Sequence, residues 1–152
     1  QPAGVTEISF GRPGWRADQG EARFRRSLYT FQKRTAPFAF YATFDAPSGE
    51  ACVVQRQVSE TPLQALSMLN DPMMVELYEA FGRELAEQAQ QEPLREVVTQ
   101  AFRRVCTRRP TDREVEALST FVVEQQRRSD AETAWAALAR ALLCLDEAGG
   151  RS

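Results

Sequence analysis

From residue 61 onward the apolar side chains recur at the spacing of one helix face. Thr61-Pro62-Leu63-Gln64 has the form of a capping box with proline at the first helical position, predicting a short helix over 62–69. Asn70-Asp71-Pro72 stops it and starts another, with Asp71 as cap. Met74, Leu77, Tyr78, Phe81 and Leu85 then form a stripe that runs to about Gln90. Pro93 opens the next helix, striped by Leu94, Val97, Val98, Ala101, Phe102 and Val105 and ended by Arg108-Arg109-Pro110. Thr111–Glu114 is a second capping box, followed by Val115, Leu118, Phe121 and Val122. Ser129–Glu132 reads as a third, opening a helix with Trp135, Leu138, Leu142 and Leu145 that Gly149-Gly150 closes. Four amphipathic helices on short links favour antiparallel neighbours, hence a bundle.

The first 60 residues carry no such period. Gly11, Pro13, Gly14 and Gly20 punctuate a loop with room for one short strand at Val5–Phe10. Arginines and aromatics interleave over 23–44, where a helix over about 24–34 is expected, followed by extended chain after Pro37. Asp45–Gly49 is a turn by composition, and Ala51–Val58 suits a short strand or an irregular segment. The predicted fold is mainly α: a helical bundle over about 61–147 with an irregular, aromatic-rich N-terminal arm. The 152 residues fit a single domain. The chain opens without Met, basic n-region or apolar stretch, and is read as a piece cut from something longer.

Charge and composition narrow the chemistry. Nineteen basic against 21 acidic side chains give a net charge of −2, unlike a polybasic nucleic-acid module. No apolar run approaches the roughly 20 residues of a membrane span. The absence of histidine removes a Ser-His-Asp triad, a His-ligated zinc and a C-x-x-C-H haem attachment. Cys52, Cys106 and Cys144 form no C-x-x-C pair, and the last two fall on apolar stripes.

Three constellations remain. The arginine-aromatic segment 23–34 suits base stacking or an anion site, or core aromatics with solvated arginines. Asp45, Asn70 and Asp71 supply oxygens for a hard cation if the fold gathers them, although capping and turn chemistry accounts for all three. Cys52 with Arg56 has the makings of a low-pKa thiol but no base beside it. Glu76, Glu79, Glu84 and Glu87 belong to a solvated helix face.

The run Arg25-Arg26-Ser-Leu-Tyr-Thr-Phe-Gln-Lys-Arg-Thr35, then Thr43–Pro47, Cys52, Arg56 and Thr61–Pro72 resembles a specific family. It is similar to the C-terminal domain of unknown function fifteen fifty-three of planctomycete-type, cytochrome-c-associated proteins. Arg109-Pro-Thr-x-x-Glu114 and Ala134-Trp-x-x-Leu138 resemble its closing helices. Family motif positions present are Arg26, Tyr29, Asp45, Cys52, Arg56, Thr61, Gln64, Asn70 and Asp71. The chain departs at Ser59-Glu60-Thr61-Pro62, where the family has T-N-T-P, at Gln32 in place of Trp, and at Cys144, where the family has Asn.

The resemblance implies an exported, multidomain parent with a c-type haem in an upstream domain and no cofactor or metal in this chain. It implies partners in the upstream domains of the same protein, an extracytoplasmic location, and no established catalytic residue. Two functions are expected: a packing or docking module, or part of an enzyme cleft, polysaccharide-related or coupled to electron transfer, that upstream domains complete. The candidate ligand or structural cluster is Arg26, Tyr29, Asp45, Arg56, Gln64, Asn70 and Asp71. Convergence on an open pocket favours the enzyme; mutual pairing in the interior favours the module.

Overall fold

A computed structural model describes residues 20–25, 27–30, 37–47, 52, 54–55 and 59–149. These residues contain six α-helices and three 3-10 turns, and no strand. The helices are α1 (Ala39–Thr43), α2 (Pro62–Asn70), α3 (Pro72–Gln88), α4 (Leu94–Cys106), α5 (Asp112–Gln126) and α6 (Ala131–Leu143). The mainly α prediction holds. The chain divides into two compact units, Gln1–Gln64 and Ala65–Ser152, with the boundary inside α2.

In the first unit, the arm differs from expectation. Of the helix expected over about 24–34, Ser27–Tyr29 is a 3-10 turn, while 26 and 31–34 lie outside the described residues; Gly20–Phe24, ahead of it, is a 3-10 turn as well. The chain after Pro37 is not extended: Ala39–Thr43 is helical. Aromatic packing explains that helix. Phe40 and Phe44, one turn apart, bring their rings to 4.5 Å, and Phe38 meets Tyr41 edge-on at 5.1 Å. The proposed strand at Val5–Phe10 and most of Ala51–Val58 lie outside the described residues.

In the second unit the apolar stripes meet as the period demands. Leu85, Val97, Val98, Ala101, Phe102, Val122, Trp135, Leu138 and Leu142 are buried in one core with Cys106. Helix α3 packs chiefly on α6, and α5 packs on both α4 and α6. The α3–α6 crossing is close because Gly82 lies against the Ala136 backbone. Burial of these large aliphatic and aromatic groups is the main stabilising term, at roughly 1.5–3 kcal/mol for each Leu, Val or Phe side chain. Glu76, Glu79, Glu84 and Glu87 are exposed on α3, as their spacing predicts.

Two boundaries are corrected. The cap of α6 is Asp130, not Ser129: its carboxylate accepts from the Thr133 amide at 2.9 Å and the Thr133 hydroxyl at 2.8 Å. A carboxylate is the better partner for the positive end of the helix dipole. Helix α6 also ends early, at Leu143, and a 3-10 turn over Asp146–Gly149 follows. Leu145, expected in the α6 stripe, therefore lies beyond the helix and is 42% exposed.

Candidate functional site

Two candidate residues of the first unit, Asp45 and Gln64, meet in a polar knot that begins at the end of α1. The Ala46 amide donates to the Tyr41 carbonyl at 2.9 Å, closing a Schellman-type turn with Asp45 in the left-handed region at φ 56°. Aspartate tolerates that conformation better than most residues. The turn aims its carboxylate at residue 59: Asp45 Oδ2 accepts from the Ser59 amide at 2.8 Å and the Ser59 hydroxyl at 2.7 Å.

Gln64 completes the knot. It is 2% exposed, and burial of an amide demands that its hydrogen bonds be met. Its Nε2 donates to the Thr43 carbonyl at 2.8 Å and to Ser59 Oγ at 3.1 Å. Its Oε1 accepts from the Thr61 amide at 3.2 Å, while Thr61 Oγ1 accepts from the Gln64 amide at 3.2 Å. The predicted capping box is therefore present, and its glutamine also ties the end of α1 to the start of α2. Ser59 Oγ gives its proton to Asp45 and accepts from Gln64. That geometry orders backbone; it does not aim a nucleophile at open space.

The remaining candidates divide. Asn70 Nδ2 donates to the Leu66 carbonyl at 2.9 Å, on its own helix. Asp71 caps α3, accepting from the Met73 amide at 2.9 Å. Tyr29 sits on the turn Ser27–Tyr29 with 69% of its surface exposed. Arg26 and Arg56 lie outside the described residues. Cys52 is exposed, Cys106 buried, and Cys144 half-buried; all three are free thiols. Among the described residues, no group of three or more Cys, Asp or Glu side chains is placed to hold a metal ion.

Sequence reasoning missed three arrangements. Ser59 departs from the family pattern, yet a serine in place of threonine keeps the hydroxyl that donates to Asp45. Tyr78, a stripe residue, also donates its hydroxyl to the Met68 carbonyl at 2.5 Å and lies 3.6 Å from Cys144 Sγ. Burial, then the neighbouring Cys144, pushes the Tyr78 phenol well above its ordinary pKa. Arg140 Nη2 donates to the Leu69 carbonyl at 2.9 Å, so two side chains from the bundle hold the C-terminal carbonyls of α2.

The third is an arginine fork at the α4–α5 turn. Thr107 ends α4 in the left-handed region at φ 58°. Arg108 then donates to both oxygens of Glu114, at 3.1 and 2.7 Å, and both oxygens of Glu147, at 2.7 and 2.9 Å. Its guanidinium lies 4.7 Å from the Phe102 ring centre. Bonds from Arg108, then from the Thr111 amide and hydroxyl, hold the Glu114 carboxyl down to about 2. Arg108 likewise lowers Glu147. A Thr-x-x-Glu box after two arginines was legible; the distant Glu147 was not.

An open groove of about 700 Å³ in the second unit runs between α3 and the start of α6, lined by Glu79, Arg83 and the segment Asp130–Thr133 with Ala136. None of the described residues of the candidate cluster lines it. Asp130 there is committed to its capping bonds.

Among the described residues the fold is helical, and Asp45, Thr61, Gln64, Asn70 and Asp71 bond to backbone and to one another. The sequence model of the PSD1 family, proteins of unknown function (DUF1553), matches residues 3–122, and the chain belongs to that family. No curated protein and no solved structure matches it. Among the described residues no helix is long and apolar enough to cross a membrane.

Proposed function

We propose that this domain is a helical packing module at the C-terminal end of a larger, exported, c-type-cytochrome-associated protein. Its partners are the upstream domains of the same polypeptide. The haem, where present, belongs to one of those domains, and no reaction is assigned to these 152 residues alone.

One observation carries the reading. Asp45, Ser59, Thr61 and Gln64, three of them family motif positions, are joined in one hydrogen-bonded knot that fastens two helix ends. Groups committed in this way are poor acids, bases or nucleophiles, because a reacting group needs a free lone pair or proton facing its substrate. Asn70 and Asp71 are likewise engaged by neighbouring backbone. The larger-protein context and the extracytoplasmic location rest on the resemblance of the motif run.

The test compares the full-length protein with one lacking these residues. The expected result is an unchanged haem absorbance spectrum with a lower melting temperature for the remainder. Loss of an assayed turnover with no change in melting would overturn the proposal in favour of a catalytic contribution.

A further inference from the structure

We draw no further inference here: the strongest candidate, the open groove between α3 and the start of α6, sets Arg83 beside Glu79 and Glu132 at a helix N-terminus that Asp130 already caps, and no second feature among the described residues points to a ligand of either charge.

Discussion

Gly82 on α3 lies directly against the backbone of Ala136 on α6: a methyl group built on Gly82 would fall 2.5 Å from Ala136 Cα and 2.8 Å from its Cβ. The glycine is needed for space, since its φ is not in the left-handed region. Gly82→Ala is expected to cost about 3 kcal/mol, near the upper end of overpacking effects, because helix backbone has nowhere to go. Ala136→Gly alone is expected to cost about 1 kcal/mol through helix propensity. The double variant is expected to show no rescue, since the clash includes Ala136 Cα. Urea melts followed by circular dichroism check all three, and recovery in the double variant would contradict the close backbone approach.

Tyr78 gives the bundle an alkaline limit. Its phenol is held protonated by burial and by its neighbours, so its folded pKa lies above the unfolded value of about 10. Its contribution is fully present below pH 10 and is lost as pH rises toward the folded value. Absorbance at 295 nm is expected to show one tyrosine ionising only as circular dichroism reports unfolding. Tyr78→Phe removes that late step and costs about 1 kcal/mol at neutral pH, because the Met68 carbonyl loses its donor.

Glu114 sets the opposite limit. Its folded carboxyl titrates at about 2, below the unfolded value of about 4.3. Its stabilisation is therefore present above about pH 4.3 and disappears as the pH falls toward 2. Urea midpoints are expected to fall from pH 5 to pH 3 by less in Glu114→Gln than in wild type. High salt is expected to narrow that difference, since Arg108 and Glu114 are both partly solvated. Equal losses in the two proteins would show that the fork carries no acid-linked stability.

The bundle was readable because each of its helices states its period and its start in local letters. Thr61–Gln64 and Thr111–Glu114 form the boxes that their spacing promised. The errors have equally local causes. Ser129 and Asp130 are both capping residues, and only the direction of the chain entering α6 selects the second. Phe40 and Phe44 make a helix in a segment without polar alternation, through a ring contact that a scan for amphipathic faces does not seek. Pairs distant in sequence left no local trace, as with Arg108 and Glu147 or Tyr78 and Met68. In the candidate cluster, Asp45 and Gln64 are partners of one another and of one another's neighbours. Their union runs through Ser59 and through a direct approach of Gln64 Nε2 to Asp45 Oδ2 at 3.4 Å, across 19 residues of chain.

That knot is the heart of the matter, and amide hydrogen exchange on the full chain with Gln64→Ala measures it most directly. Gln64 Oε1 receives the Thr61 amide, and its Nε2 braces the Ser59 hydroxyl that serves Asp45. If motif side chains fasten the backbone, the Thr61 and Ser59 amides exchange about tenfold faster in the variant while the Val122 amide is unchanged. Unaltered exchange at both amides would contradict the structural role given to these residues.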